Sequence, residues 1–543
     1  MDYDFISIGG GLGGLAGAIA AHDAGLSVAI VEKSEKLGGV AALSAGQLWV
    51  AGSHLEAECG IADSPEDGLA YLTWLGGGYG RESLARTLCE TAPEALRYFE
   101  ERAGVRWMLL RDYPDYHYPM GERSLPEGRY VEVEPFLGAD LGDWQANTRS
   151  SLPPAVTNAE QYGKASPVPL AERRARDERG MGGGLGAYFT KAALDRGIPV
   201  FIGVTVEKLH RENGRVTGLS GTRAGEPFAL QARRGILIAT SGYDWDSEFV
   251  GRHDVRPGSG TRVPPAVTGD HLRWAGMLGA QVASITVRPQ WIGIAFREQA
   301  DIDAEGMPRW QNIAFRNPHC ILVNRRGRRF CDESWGPSYV PALSHADIDA
   351  PAVANQPFWV VFDSRHRARY RVGLAMPGEP LSPAIVSAPT IRELAEKCGI
   401  DADGLEAQIA RFNPAAEAGE DAEFGRGTRP QARANGDRSH QPNPNLGPVS
   451  DPPFYAVRME ASSIGIPTAG LVGDSAARVL DWWGAPIDGL YVAGNSMAML
   501  DLGIGYNSGL ANTRGITFAY IAARHAAGTG TASSPKTIAQ VEI

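Results

Sequence analysis

The sequence predicts an α/β protein in which a second domain is inserted into the first, and three features support this prediction. Residues 5–32 follow the order of strand, glycine-rich turn, helix and strand. Residues 490–527 show a strand, a glycine-rich turn and a helix near the other end of the chain. Between them, residues 284–452 are rich in Trp and Phe and contain the strand-like run HCILVN. We interpret this middle span as an inserted α+β cap.

The N-terminal pattern has the spacing of a dinucleotide site. Gly9 permits the tight turn, Gly11 lets the backbone approach a pyrophosphate, and Gly14 allows the helix to pack closely on the strand. The helix that follows directs free N–H groups and the positive end of its dipole at the phosphates. Glu32 lies about twenty residues further on, where a carboxylate can accept hydrogen bonds from a ribose hydroxyl. The pattern therefore predicts a Rossmann-like domain.

Length and composition exclude several classes of protein. A chain of 543 residues is too long for one compact core, so two or three domains are expected. The net charge of -11 argues against nucleic acid or an anionic membrane as the main partner. Five cysteines without a CxxC pair predict reduced thiols and a cytoplasmic protein. The histidines form no HExxH motif and no zinc-spaced cluster, so no metal is predicted.

Further along the chain, two stretches of small residues predict contacts with the cofactor. Residues 33–52 are rich in Gly, Ala and Ser, and a loop of small residues can run close along a bound cofactor. The buried-type strand Gly235–Ala239 leads into another small-residue turn at residues 240–242. The glycines at 182–184 follow a charge-rich stretch instead of a strand, so we reject them as a second nucleotide loop. This leaves no evident NAD(P)H site.

Several segments, in the same order along the chain, resemble the FAD-dependent fumarate reductase/3-ketosteroid dehydrogenase superfamily. They are GGGLGGLAGA with VEKSEKLGG, LIATSGY, TGDH, ILVNRRGRRFCDES and ARVLDWWGAPIDGLYVAGN. The resemblance covers nearly all of residues 3–527 and implies non-covalently bound FAD. It also implies a Rossmann-like FAD-binding domain of residues 1–283 and 453–528, a catalytic cap domain of residues 284–452, and a flexible tail of residues 529–543.

The cofactor-binding residues predicted from the motif and the resemblance are Gly9, Gly11, Gly14, Glu32, Lys33, Gly38, Gly39, Ser44, Ala45, Gly46, Val206, Thr240, Ser241, Gly242, Gly494, Asn495, Gly509 and Leu510. The helix that begins near Leu510 is expected to direct its N-terminus at the flavin and stabilise the reduced anion.

Two branches of the superfamily differ in the residues around the substrate. The fumarate-reducing branch binds two carboxylates through arginines and a histidine. Here the stretch after Phe330, residues 464–471 and residues 501–509 lack those residues, so dicarboxylate chemistry is disfavoured. The ketosteroid branch places tyrosines at the site, and this chain resembles it with Tyr116, Tyr339 and Tyr506.

We hypothesise that the hydroxyl of Tyr506 and the backbone N–H of Gly509 or Leu510 hold the ketone oxygen. Stabilising the enolate is the central electrostatic task when a weakly acidic α-proton is removed. Tyr339 is the expected proton acceptor, acting as tyrosinate, with Tyr116 relaying the proton. Ser508 is either a partner of Tyr506 in that relay or the N-cap of the last helix, and both interpretations stay open.

The Trp- and Phe-rich cap favours a bulky, apolar ketone as the substrate. The leading interpretation is FAD-dependent α,β-desaturation of a 3-ketosteroid, with a quinone or similar external electron acceptor. A smaller alicyclic ketone such as cyclohexanone fits the same residues. The alternatives are an FAD-linked reductase of an activated double bond and a flavin-binding scaffold without activity. The order Tyr-x-Ser-Gly at residues 506–509 is more similar to the 4-(5α)-dehydrogenases than to the 1-dehydrogenases, so the position of the new double bond stays open.

Overall fold

The computed structural model describes residues 1–150, 157–161, 170–254, 260–285, 291–298, 302–303, 305–347 and 352–529. Residues 530–543, which make up nearly all of the predicted flexible tail, lie outside this description. No helix in the described part of the chain is long and apolar enough to cross a membrane.

The larger sheet has eight strands, and five of them run parallel. In spatial order the parallel strands are Pro486–Val492, Glu226–Ile238, Asp2–Ile8, Val28–Val31 and Val200–Phe201. Ile6 is in register with Ile236 on one side and Ala29 on the other. These side chains are buried, which explains the continuous apolar runs in the sequence.

Two additions complete this sheet. Arg478–Leu480 pairs antiparallel at one edge, next to Pro486–Val492. The strands Val204–Glu212 and Arg215–Arg223 form the hairpin through Asn213 that the Asn-Gly pair predicts, and the hairpin extends Glu226–Ile238.

Helices pack against the sheet and against one another. Leu12–Asp23 follows the glycine-rich turn and lies against the C-terminal helix Leu510–Ala527, which also contacts Glu82–Ala103. The C-terminal helix has the predicted bounds. The remaining helices of this part are His54–Glu58, Pro65–Gly76, Asn158–Gln161, Leu170–Ala175, Met181–Asp195, Ser247–His253 and Asp270–Leu278.

Short strands and turns fill the space around the cofactor domain. The strands Leu48–Trp49, Tyr130–Val133 and Trp107–Leu109 form one small sheet, and Val282–Ser284 pairs with Ala469–Leu471 in another. The 3-10 turns are Ala41–Leu43, Gly138–Trp144 and Gly494–Ser496.

The glycines at 182–184 do follow a strand, contrary to our sequence interpretation. Glu178–Arg179 is a two-residue strand, and it pairs antiparallel with Phe136–Leu137 outside the large sheet. The glycines begin helix Met181–Asp195, which packs against the turn Ala41–Leu43. This strand does not end at the carboxyl edge of the parallel sheet, so the arrangement is not that of a second Rossmann unit.

The cap contains a second sheet of six strands. Its longest strand, Phe454–Ile466, pairs with four others. The set comprises Gly260–Thr261, Trp291–Ala295, Cys320–Asn324, Phe358–Phe362, Val386–Ala388 and Phe454–Ile466. The run HCILVN forms the strand predicted for it. Five helices accompany this sheet, namely Gly336–Ala342, Ser364–Arg369, Ile391–Cys398, Ala402–Ala418 and Pro430–Ala434.

The cap sheet crosses the predicted domain boundaries. Phe358 pairs with Met459 and Phe362 with Tyr455, although we assigned residues from 453 onwards to the FAD-binding domain. Gly260 pairs with Ser462, so a strand from before residue 284 also joins the cap sheet. The loop rich in Pro and Asn before residue 453 marks the start of a cap strand and not the return to the first domain. We propose that the return lies after Ile466.

Candidate active site

One continuous cavity of about 440 Å³ runs from the glycine-rich turn into the cap. Its volume lies within the roughly 300–1,000 Å³ of typical small-molecule sites. We call the part lined by residues 9–13 and 31–34 the cofactor end. We call the part lined by Tyr116, Trp291, Tyr339 and Tyr506 the substrate end.

The cofactor end has the backbone geometry that the glycine motif predicts. Gly9 has φ +109°, and a Cβ atom on Gly14 would lie 1.8 Å from the carbonyl oxygen of Gly9. Any side chain at Gly14 would therefore push the helix off the turn. The Glu32 carboxylate accepts from the N–H of Gly10 at 2.6 Å and from the N–H of Ser34 at 2.7 Å, and it lines the cavity.

Most of the predicted cofactor residues line this cavity. They are Gly9, Gly11, Glu32, Lys33, Gly39, Ser44, Ala45, Gly46, Val206, Thr240, Ser241, Gly494, Asn495 and Gly509. Gly14, Gly38, Gly242 and Leu510 do not line it, and Gly14 and Leu510 are buried in the packing behind it. Glycines and helix starts next to a cofactor motif can support it from behind, and the sequence does not separate the two roles.

Several buried polar atoms along the cavity have no partner within the described residues, and they fit a dinucleotide. Arg149 pairs with Glu305 through Nη1, whereas its Nε and Nη2 are unpaired. Gln47 Nε2 and Asn495 Oδ1 are likewise unpaired, and all three residues line the cavity. Because buried polar groups are nearly always hydrogen-bonded, these atoms indicate a polar ligand. The sequence motifs point to neither Arg149 nor Gln47.

Three tyrosines from distant parts of the chain meet at the substrate end. The ring of Trp291 lies 5.1 Å from that of Tyr506 and 6.1 Å from that of Tyr116. Tyr339 lies in helix Gly336–Ala342 and lines the same cavity. The predicted catalytic set of Tyr116, Tyr339, Tyr506, Ser508 and Gly509 is therefore brought together in one place.

Arg316 lies beside two of the tyrosines. Its Nη2 donates to the hydroxyl of Tyr339 at 3.3 Å. Burial raises the pKa of Tyr116 well above its ordinary value, while the charge of Arg316 and a hydrogen bond from Ser508 act in the opposite direction. Tyr116 is consequently a neutral phenol near pH 7, and the hydrogen bond from Arg316 fixes the position of the Tyr339 hydroxyl.

Asn507 fixes the loop that carries Tyr116. It is fully buried, and its Oδ1 accepts from the N–H of Tyr116 at 3.1 Å and from the hydroxyl of Tyr71 at 3.2 Å. Its Nδ2 donates to the hydroxyl of Tyr130 at 2.8 Å. From the cap side, the indole N–H of Trp335 donates to the carbonyl oxygen of Tyr116 at 2.9 Å. The loop therefore has a fixed position between the two domains.

The N-cap interpretation of Ser508 is wrong. Helix Leu510–Ala527 has Gly509 as its N-cap, without a capping side chain, because Ser508 lies one residue too early. The Ser508 hydroxyl instead donates to Gln47 Oε1 at 2.6 Å, and it lies near Tyr116.

Arg514 ties the last helix to the segment that lines the cavity. Its Nε donates to both carboxylate oxygens of Asp501, at 2.8 and 2.7 Å, and both side chains are fully buried. Its Nη groups donate to the carbonyl oxygens of Gly494, Met497 and Ala498 at 3.1–3.2 Å. The ion pair thus holds Gly494 and the neighbouring Asn495 in the wall of the cavity.

The substrate end of the cavity contains two further arginines that the sequence motifs do not point to, Arg262 and Arg316. The basic residues of the fumarate-reducing branch are expected in the stretch after Phe330, in residues 464–471 and in residues 501–509. Both arginines lie outside those segments, and only the packing of the cap brings them to the cavity. The substrate end is therefore more polar than a cap rich in Trp and Phe indicates. Of the cap tryptophans, Trp291 lines the cavity, and Trp359 is buried in a separate core.

Comparison with known proteins supports the same family. The model of the FAD binding domain family matches residues 4–509. The 4-oxocyclohexanecarboxylate 2-dehydrogenase of Sinomonas cyclohexanicum is 34% identical over 97% of this chain and 93% of its own length. The 3-oxosteroid 1-dehydrogenase of Mycobacterium tuberculosis is 31% identical over 97% of this chain and 98% of its own length.

Solved structures share the fold. The 3-ketosteroid Δ1-dehydrogenase of Sterolibacterium denitrificans, in complex with 1,4-androstadiene-3,17-dione, superposes with a TM-score of 0.88 and 30% identity, covering 97% of this chain and 100% of its own. The 3-ketosteroid Δ4-(5α)-dehydrogenase of Rhodococcus jostii has a TM-score of 0.65 at 20% identity, covers 97% of each chain, and supports the fold alone. The predicted α/β FAD-binding fold and the FAD cofactor are confirmed. The chain therefore belongs to the FAD binding domain family, as a flavin-dependent oxidoreductase related to the ketosteroid and oxocyclohexanecarboxylate dehydrogenases.

Proposed function

We propose that this enzyme introduces a double bond next to the carbonyl group of a cyclic ketone. The observation that carries the proposal is the meeting of Tyr116, Tyr339 and Tyr506 in the cavity that also holds the cofactor-binding residues. The relatives that span nearly the whole chain include a 3-oxosteroid 1-dehydrogenase and a 4-oxocyclohexanecarboxylate 2-dehydrogenase, both of which act on ring ketones. The shared reaction class is α,β-desaturation.

The ketone oxygen is held by the Tyr506 hydroxyl and the backbone N–H of Gly509. The choice between the two backbone donors follows from the turn, because the N–H of Leu510 already donates to the carbonyl oxygen of Asn507 at 3.3 Å. Two donors aimed at this oxygen stabilise the negative charge that develops when the α-proton leaves. A tyrosine suits the role because its hydroxyl donates while remaining neutral near pH 7.

The α-proton passes to the oxygen of Tyr339. The hydrogen bond from Arg316, at 3.3 Å, supports this assignment because it fixes the Tyr339 oxygen in the cavity that Tyr116 and Tyr506 also line. Tyr116, whose pKa burial raises well above the ordinary value, keeps its own proton and can pass one on to Ser508. The roles of base and relay are thereby divided between two tyrosines with different surroundings.

The cofactor-binding residues orient FAD for this reaction. The turn at residues 9–14 and the N-terminus of helix Leu12–Asp23 would hold the pyrophosphate of FAD, and Glu32 would bind the adenosine ribose. Asn495 and the start of helix Leu510–Ala527 would hold the flavin ring. When bound, FAD accepts the hydrogen of the β-carbon as a hydride. An external acceptor of the quinone type then removes the electrons.

Anaerobic spectroscopy tests the proposal. The purified yellow protein is mixed with androst-4-ene-3,17-dione, cyclohexanone or 4-oxocyclohexanecarboxylate, and the absorbance of oxidised flavin is followed. We expect at least one ketone to bleach the flavin and to lose two hydrogens, as measured by mass spectrometry. If no ring ketone bleaches the protein, and chemically reduced enzyme is reoxidised by fumarate or an enone, the enzyme is a reductase and the proposal is wrong.

A further inference from the structure

Arg262 carries a positive charge beside the substrate end of the cavity, and its hydrogen-bond partners are neutral. Its Nε donates to Ser462 Oγ at 2.7 Å, and its Nη1 donates to Asn312 Oδ1 at 3.1 Å. Its Nη2 is buried and has no hydrogen-bond partner within the described residues. In that same part of the chain it forms no ion pair, and Tyr339 is the ionisable side chain whose charge acts on it.

The space around this guanidinium is shaped by its neighbours. A Cβ atom on Gly293 would lie 2.9 Å from both Cζ and Nη2 of Arg262, so a glycine at this strand position leaves the room that the guanidinium needs. The ring of Trp310 lies 5.7 Å from Cζ, and the indole N–H is held by the carbonyl oxygen of Thr261 at 2.8 Å. The side chain is therefore held in one orientation by a stacked ring and two hydrogen bonds.

A buried cation such as Arg262 needs an anionic partner, and the described residues do not supply one. Burial lowers the pKa of Arg262 to about 10, with Tyr339 opposing the shift, so the side chain is still charged near pH 7. A buried charge is costly unless it is paired and hydrogen-bonded. Arg316 adds a second positive charge to the cavity, but its Nη2 already donates to Tyr339. At the substrate end, Arg262 is therefore a buried cation that has no anionic partner within the described residues.

We propose that Arg262 binds a carboxylate on the substrate, so that the enzyme acts on a cyclic keto acid in preference to a neutral ketone. This inference rests on the proposed function and specifies its substrate class. A guanidinium with a free Nη group matches a carboxylate in charge and geometry. Trp291 supports a small ring, because its side chain occupies space beside Tyr116, Tyr506 and Gly336, where a Cβ atom would meet it at 3.1 Å.

The test compares an anionic keto acid with its neutral ester, using the FAD-loaded enzyme and an artificial electron acceptor. The ketones are 4-oxocyclohexanecarboxylate and its methyl ester. We expect kcat/KM for the acid to exceed that for the ester by about 10–100-fold, the usual value of a hydrogen bond to a charged group. Arg262→Gln should reduce this ratio to near one, and Arg262→Lys should give an intermediate ratio. A wild-type ratio near one, or an unchanged ratio in Arg262→Gln, would overturn the inference.

Arg297 provides the matched control. It contacts the same Trp310 ring at 5.2 Å and pairs with Glu460 at 3.3 Å, but it does not line the cavity. Arg297→Gln should therefore keep the acid-to-ester ratio of the wild type. If this variant loses the ratio as well, the preference comes from the general charge of the cap and not from Arg262.

Ligand binding separates failure of this inference from failure of the proposed function. 4-Hydroxybenzoate and 4-hydroxybenzamide cannot be desaturated, and binding of either beside the flavin changes the flavin spectrum. We expect the wild type to bind the anion at least about 10-fold more tightly than the amide, and Arg262→Gln to lose this difference. Equal affinities in the wild type would contradict the inference. A clear preference without turnover of any ketone would contradict the proposed function alone.

Discussion

Replacing Arg514 by Met should destabilise the protein severely and weaken its hold on FAD. Arg514 and Asp501 are fully buried, and the arginine makes two hydrogen bonds to the carboxylate and three to backbone carbonyls. The methionine would leave a buried carboxylate without a cation and three carbonyl groups without this donor. Breaking a buried pair from one side costs about 3–5 kcal/mol, so we expect a loss of that size in the free energy of unfolding.

The Arg514→Met substitution should also weaken FAD binding, because Arg514 holds the segment that lines the cavity. The carbonyl groups belong to residues 494–498, which carry Gly494 and Asn495 into the cavity. We expect the Kd for FAD, measured by titrating the apoprotein, to rise at least about 10-fold, since 1.4 kcal/mol corresponds to a factor of ten. Urea unfolding, followed by circular dichroism and by flavin fluorescence, measures the stability.

Two further variants decide whether the reasoning is right. Arg524→Met removes an arginine from the same helix, but Arg524 pairs with Glu94 at the surface, so about 0–1 kcal/mol is expected. The double variant Arg514→Met with Asp501→Leu removes the stranded carboxylate and should be more stable than Arg514→Met alone. The reasoning is refuted if Arg514→Met behaves like Arg524→Met, or if the second substitution destabilises it further.

Three other predictions concern the substrate end and its surroundings. Tyr339→Phe should lower kcat by about 10²–10⁴-fold with an unchanged flavin spectrum, and a loss below tenfold would remove Tyr339 from the proton transfer. Asn507→Leu leaves the buried hydroxyls of Tyr71 and Tyr130 without this partner and should cost about 2–4 kcal/mol; an unchanged thermal midpoint would contradict this. Burial, followed by the charge of Asp63, raises the pKa of Glu56 from 4.5 to about 8. The folded state therefore holds this proton more tightly than the unfolded state, and the stability from this group falls as pH rises from about 4.5 to about 8. Glu56→Gln should flatten that decline in thermal midpoint, and an equally steep decline would contradict the pKa shift.

Local features of the fold could be predicted from the sequence. Helix Leu510–Ala527 lies between Gly509 and Gly528, which both have positive φ, so its limits are visible as glycines. The Gly9–Gly14 contact belongs to one contiguous motif, and its geometry follows from the spacing. Such elements can be predicted without knowing which distant residues they contact.

Features that depend on long-range packing could not be predicted in the same way. Arg262 and Arg316 are 54 positions apart and meet Tyr339 only because the cap sheet brings their segments together. An isolated arginine in an irregular stretch looks the same whether it lies at the surface or in a cavity. The sheet that contains Phe454–Ile466 could not be predicted for a related reason, because a Pro-rich loop marks the end of an element but not the sheet to which the next strand belongs.

The strand Phe454–Ile466 limits how this enzyme can be recombined with its relatives. One half of the strand pairs with Phe358–Phe362, and the other half pairs with Gly260–Thr261 and Trp291–Ala295. A chimera exchanging residues 284–452 would pair Phe454–Ile466 of one parent with Trp291–Ala295 and Phe358–Phe362 of the other. A transplant of substrate specificity therefore has to include the whole range of residues 260–466, which also carries Arg262 and its partners at positions 312 and 462 into the new host.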